Sequence, residues 1–202
     1  MTEPRGESAG EGQMPPVVAV FGSDAPQPGT PDYEQAYIVG RLLAEAGYSV
    51  ATGGYGGTME AVSRGASEAG GHVIGVGSDR IETFRRRGLN EWVAEAIRYK
   101  TLQERLLHLI HHNQGMIVLP GGIGTLSELT LAWSFLQVGE IEPRPLVLLG
   151  EIWYETMRAL LQSDYVREPH AALLYFAATP EGAVAFMRDA LENGAQPPDG
   201  GD

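Results

Sequence analysis

The stretch Met116-Ile117-Val118-Leu119-Pro120-Gly121-Gly122-Ile123-Gly124-Thr125-Leu126-Ser127-Glu128 decides how the rest of the chain is read. Its first four residues form a short apolar run of the kind a buried strand needs. Glycines follow, and then an amphipathic stretch from Leu126 to Val138. The order predicts a strand, a glycine turn and a helix N-terminus in direct succession. Such a junction aims backbone N–H groups and the positive end of a helix dipole at whatever lies above the turn, most often a phosphate. Gly121, Gly122 and Gly124 carry no side chains, so the backbone can approach a ligand closely. The same glycines also suit a tight turn with no ligand at all. Thr125 is placed to be the N-cap, and Glu128 then falls at N3 and completes a capping box. That pairing accounts for Thr-x-x-Glu by itself, yet it also sets a carboxylate beside the anion site.

Outward from this point, strand and helix patterns alternate. Val17 to Phe21 reads as a first buried strand ending at Gly22-Ser23. Tyr48 to Ala51 reads as a second, ending in Thr52-Gly53-Gly54-Tyr55-Gly56-Gly57. Further strands are expected at His72 to Val76, Pro145 to Leu149 and Leu173 to Ala177. Helical spacing marks Tyr33 to Ala46, Thr58 to Ala69, Thr101 to His112 and Trp153 to Gln162. Thr179 as N-cap and Pro180 at the first helical position open a last helix to about Leu191. Residues 77–94 read as irregular.

Strands alternating with helices imply a single doubly wound α/β domain over residues 16–192, with a mainly parallel sheet flanked by helices. Residues 1–15 and 193–202, rich in Gly, Pro and acidic side chains, are expected to be disordered tails. Ligands of such sheets bind beyond the carboxyl ends of the strands. Gly22-Ser23, Gly53 to Gly57 and Gly121 to Gly124 all follow expected strands. They should converge on one edge, around one phosphate-bearing ligand.

Composition narrows the class. The 202 residues carry a net charge of −12, and their 14 basic residues are 13 Arg and Lys100. A general nucleic-acid binder neutralises phosphates with basic side chains, so DNA and RNA are not expected partners. A pyridoxal phosphate enzyme would have to use Lys100, and no cofactor is expected. The absence of cysteine rules out disulfides and thiolate metal sites and fits a reducing cytoplasm. No apolar run approaches the ~20 residues of a membrane helix. The first residues lack the basic start and apolar core of a secretory signal.

Other residues are candidates on spacing. Arg105 borders the apolar stripe Leu102, Leu106, Leu109 and Ile110, where it either snorkels to solvent or faces an anion. His108 and His112 have the i, i+4 spacing of a metal pair. No third ligand is near in sequence, the helix C-terminus favours histidines, and no metal is expected. Arg85-Arg86-Arg87 reads as a solvated loop or a phosphate contact. Asp24, Asp32, Tyr55 and Glu60 could touch ligand hydroxyls.

Pro120 to Glu128, PGGxGTxxE, resembles the signature of the LONELY GUY (LOG) family, long labelled "possible lysine decarboxylases". The resemblance spans roughly residues 17–190. Gly22-Ser23 is similar to the family's early glycine-serine turn, and Gly53 to Met59 to its second glycine segment. The family's Met-x-x-Arg-Lys element aligns with Leu102 to Leu106, keeping the arginine as Arg105. The resemblance implies a Rossmann-like fold. It also implies hydrolysis of a nucleoside 5'-monophosphate, such as AMP or a cytokinin riboside monophosphate, to free base and ribose 5-phosphate. Glu128 and Arg105 would be the catalytic pair. Gly22, Ser23, Gly53, Gly54, Gly56, Gly57, Met59, Pro120, Gly121, Gly122, Gly124 and Thr125 would hold the nucleotide. A homodimer or higher homo-oligomer is implied as well. Molybdenum cofactor carrier proteins resemble the same fold and hold a phosphate-bearing pterin at comparable turns, which keeps a non-enzymatic carrier or sensor as the alternative.

Overall fold

A computed structural model describes residues 15–85 and 88–194, the side chain of Arg85 excepted. The expected tails beyond these limits, and the Arg85 to Arg87 cluster as side chains, lie outside the described residues.

The chain alternates as expected. The strands are β1 (Val17–Phe21), β2 (Ser49–Thr52), β3 (Val73–Ser78), β4 (Glu95–Tyr99), β5 (Gly115–Val118), β6 (Leu146–Leu149) and β7 (Leu174–Ala177). The helices are α1 (Pro31–Glu45), α2 (Thr58–Glu68), α3 (Asp79–Arg85), α4 (Leu102–His111), α5 (Ile123–Val138), α6 (Glu151–Leu161), α7 (Glu168–Ala171) and α8 (Pro180–Asn193). The sheet order is β4-β3-β2-β1-β5-β6-β7, and every pairing is parallel. Successive side chains of each strand enter opposite layers, because strand side chains alternate. Val18 and Val20 pack with α1, α2 and α8, whereas Ala19 and Phe21 pack with α4, α5 and α6. Each fully buried aliphatic or aromatic side chain of these layers contributes roughly 1.5–3 kcal/mol. No described helix is long and apolar enough to cross a membrane.

Three elements depart from expectation. β4 is an edge strand with alternating half-buried and exposed residues, so it offers no continuous apolar run. Part of the segment expected to be irregular forms α3, with Asp79 and Glu82 in its first turn, where acidic side chains suit the helix dipole. α7 is a single turn between α6 and β7. The last helix starts as expected: Thr179 accepts from the Gly182 N–H and Pro180 leads the first turn. It ends at Asn193, two residues beyond expectation.

Candidate active site at the carboxyl edge of the sheet

β1 lies between β2 and β5, so the strand order reverses direction at β1. Parallel strands place the turns after β1, β2 and β5 side by side on the carboxyl edge, the expected location for a ligand. Gly22-Ser23, Gly53 to Gly57 and Pro120 to Gly124 are those three turns.

The helix after β5 begins earlier than its sequence suggests. Gly122 is the N-cap, without a side-chain cap, and the first intrahelical bond runs from the Leu126 N–H to the Gly122 carbonyl, 2.9 Å. Ile123, Gly124 and Thr125 therefore present their N–H groups ahead of the hydrogen-bonded ladder. The expected capping box of Thr125 and Glu128 is not formed. Thr125 is the third helical residue and is buried; its side chain fills the space a Cβ at Gly121 would occupy. The capping box is found instead at the start of α4, between Thr101 and Glu104. Glu128 is thereby released from capping and lies on the same buried face of α5 as Thr125, one turn on.

Its partner comes from α4. Arg105 Nη1 donates to Glu128 Oε1 at 3.2 Å, and the two side chains are only 7% and 9% exposed. Arg105 Nε donates to the Val76 carbonyl at 2.9 Å, and the guanidinium carbon lies 5.9 Å from the Tyr55 ring centroid. The expected stripe on α4 is corrected accordingly: Leu102 is exposed, and Arg105 takes an inward place beside Leu109 and Ile110. The guanidinium neither snorkels nor reaches outward; it holds a carboxylate and a strand carbonyl. A buried pair of this kind tolerates loss of neither partner, because the charge left behind is desolvated.

The glycines divide into two groups. A Cβ at Gly53 would overlap Arg105 Nη2 and lie 2.6 Å from Met59 Sδ. A Cβ at Gly22 would overlap the Thr58 hydroxyl, and Gly57, at φ +63°, sits against the Ser23 carbonyl. These positions are glycine because the protein itself leaves no room. Gly122 and Gly124 are different: neither has a positive φ, and apart from the adjoining residues and the helix's own backbone no protein atom lies within 4 Å of where a Cβ would be. Packing does not require glycine at either position, and at Gly124, within the helix, glycine costs about 0.5–1 kcal/mol against alanine. What the missing side chains leave open is the space over the helix N–H groups.

The second glycine segment is not the flexible loop its composition allows. Residues 53–59 are all buried. Three of its backbone donors are engaged within the protein: Gly54 N–H with Thr52 Oγ1 at 2.9 Å, Gly56 N–H with Asp24 Oδ1 at 3.2 Å, and Thr58 N–H with the Ser23 carbonyl at 2.8 Å. Ser23 Oγ accepts from the Ala25 N–H. Tyr55, a candidate for ligand hydroxyls, is 1% exposed and faces Ser78 and Arg105. Asp32 is exposed, and Glu60 accepts from the Tyr33 hydroxyl at 3.3 Å.

Sequence reasoning missed Asn90. Its Nδ2 donates to the carbonyls of Gly54 and Tyr55, 3.0 and 2.9 Å, clamping the segment from the far side. An asparagine just after Gly88-Leu89 was the available signal. His108 and His112 stack at 4.3 Å between ring centroids, and His108 Nδ1 meets the Tyr99 hydroxyl at 2.9 Å. Burial, and then the neighbouring His112, hold His108 below the ordinary imidazole value. Stacked rings do not aim their nitrogens at one point. Among the described residues no group of three or more His, Asp or Glu is placed to hold a metal. A cavity of about 540 Å³ opens at the opposite, amino edge, between Leu146, Leu174, Tyr175 and Phe186. Its lining includes neither Arg105 nor Glu128, so the buried ion pair, not the cavity, marks the candidate site.

The family described as "Possible lysine decarboxylase" matches residues 59–187, a span that contains both Arg105 and Glu128. A cytokinin riboside 5'-monophosphate phosphoribohydrolase of Mycobacterium tuberculosis is 32% identical over 140 residues, 66% of this chain and 73% of that protein. A probable enzyme of the same description from Oryza sativa subsp. japonica is 28% identical over 180 residues, covering 85% of this chain and 71% of its own. Among solved structures, the molybdenum cofactor binding protein of Rippkaea orientalis superposes with a TM-score of 0.69 at 25% identity, over 88% of this chain and 98% of that one. The molybdenum cofactor carrier protein of Chlamydomonas reinhardtii gives 0.67 at 25% identity, over 88% and 99%. With the signature, the sheet order and the buried arginine–glutamate pair in place, the chain belongs to the LOG family, the group described as possible lysine decarboxylases.

Proposed function

We propose that the protein is a nucleoside 5'-monophosphate phosphoribohydrolase, releasing a free base and ribose 5-phosphate. The buried Arg105–Glu128 pair beside the uncapped N-terminus of α5 carries this reading. The N–H groups of Ile123, Gly124 and Thr125, with the open space over Gly122 and Gly124, suit a 5'-phosphate. Glu128 lies five residues along α5 from Ile123, about 7–8 Å of helix rise, and helical side chains lean toward the N-terminus. Phosphate and carboxylate are thus separated by a distance a ribose can bridge.

Cleavage of the N-glycosidic bond builds positive charge at C1′ while the bonding pair leaves with the base. Glu128 orients a water and takes its proton as the oxygen bonds to C1′; that proton finally resides on the departing base. Arg105 touches the carboxylate through Nη1 and fixes its direction. The phosphate is left to the turn after β5, because the guanidinium is already bound to Val76 and Glu128.

The test is to incubate the protein with AMP and other nucleoside monophosphates and assay free base and ribose 5-phosphate. Release by the wild type and not by Glu128→Gln supports the reading; equal release by both removes Glu128 from the chemistry. A second reading, a non-enzymatic carrier of a phosphate-bearing pterin, draws on the near full-length likeness to the two molybdenum cofactor proteins. It predicts a copurifying pterin absorbance and no turnover of any monophosphate.

A further inference from the structure

Tyr55 is the one side chain in a five-residue segment whose other members are glycines. It is 1% exposed, and its hydroxyl is turned into the protein toward Ser78. Its hydroxyl accepts from the Ser78 N–H at 2.8 Å and lies 3.3 Å from the Ser78 carbonyl, to which it donates. Its backbone carbonyl accepts from Asn90. Its ring stands beside the Arg105 guanidinium. Arg105 and Tyr55 therefore grip the same strand two residues apart, at Val76 and at Ser78. Gly77 between them leaves the hydroxyl room, since a Cβ there would approach it to 3.1 Å.

We propose that Tyr55 is a positioning residue, whose ring, anchored through its hydroxyl to Ser78, holds the Arg105 guanidinium in the orientation that aims Nη1 at Glu128. With Nε on Val76, the ring beside the guanidinium and Gly53 leaving space for Nη2, the arginine has one orientation to adopt. An orientation fixed before substrate arrives need not be bought during the reaction. The role in catalysis rests on the phosphoribohydrolase reading; the orientation of Arg105 does not.

Two measurements keep these apart. The first is hydrogen exchange at Arg105 Nε–H by NMR, with the resonance assigned through its loss in Arg105→Lys. Tyr55→Leu, and to a lesser degree Tyr55→Phe, are expected to speed that exchange about tenfold or more. Leu174→Ala, a core truncation at the amino edge, is expected to leave it unchanged. The second is steady-state kinetics on AMP. Tyr55→Leu is expected to lower kcat about 100-fold with KM changed less than about twofold, and Tyr55→Phe to fall between it and wild type. If Tyr55→Leu fails to fold, Tyr55→Phe decides alone. Unchanged Arg105 exchange in the Tyr55 variants, or an equal rise in Leu174→Ala, overturns the proposal. A wild type that turns over no monophosphate removes the hydrolase reading and leaves the exchange result to decide the positioning role.

Discussion

The turns after β2 and after β5 are written in nearly the same letters, and they do opposite work. Each follows a short buried strand, is rich in glycine and precedes a helix. The turn after β2 is buried, Gly53 and Gly57 are crowded by Arg105, Met59 and the Ser23 carbonyl, and three of its backbone donors are engaged within the protein. The turn after β5 is largely exposed, and the positions of Gly122 and Gly124 face open space. One turn frames the Arg105 guanidinium, and the other leaves open space over the first N–H groups of α5. Glycine content alone does not separate the two. What separates them is whether the atom a Cβ would strike belongs to the protein.

Substitutions on either side of this contrast have different signatures. The largest effect is expected from Glu128→Gln, on the helix that the open turn starts: base release should fall by about 10²–10⁴-fold. Gly53→Ala, in the packed turn, should force Arg105 aside. The expected cost is about 2 kcal/mol, a Tm lowered by roughly 4–8 °C in thermal unfolding. A Gly53→Ala protein as stable as wild type would erase the contrast. Gly124→Ala, in the open turn, should do the reverse. Calorimetry should show stability equal to wild type or raised by up to about 1 kcal/mol. AMP affinity by titration should weaken about tenfold, because a methyl group then covers the N–H groups.

The smallest effect concerns α4, which carries Arg105 from below. His108 is held below the ordinary imidazole value by burial, so its neutral form is favoured in the folded protein. Its contribution is fully present above the unfolded value of about 6.5. It is lost as pH falls through the lower folded value, since the unfolded chain binds the proton first. Urea unfolding between pH 7 and 5 should therefore be less steeply pH-dependent in His108→Gln than in wild type.

Much of the fold was legible. The strands β1, β5 and β6 are apolar runs buried on both faces, and such runs announce themselves without knowledge of their neighbours. Thr179 and Pro180 mark α8 through purely local chemistry. β4 was not legible, because an edge strand with one open side needs only alternate residues to be partly buried. Nor was the start of α5. A capping box at Thr125 and Glu128 satisfies every local rule, but Thr125 packs against Gly121 and the helix begins three residues earlier. Locally, Arg105 was free to point either way. Its burial depends on Val76, Tyr55 and Glu128, which come from three other places in the chain.

By itself the sequence determined the alternation of strands and helices, the parallel sheet, and the edge on which three glycine turns would meet. These follow from periodicity, turn chemistry and the handedness of parallel crossovers, all of which act over short distances or by general rule. Only the tertiary structure decided which glycines face protein and which face open space, and that Arg105 is paired with Glu128. Close packing and buried charge pairing depend on atoms brought together from distant segments, and no local pattern encodes where those atoms will stand.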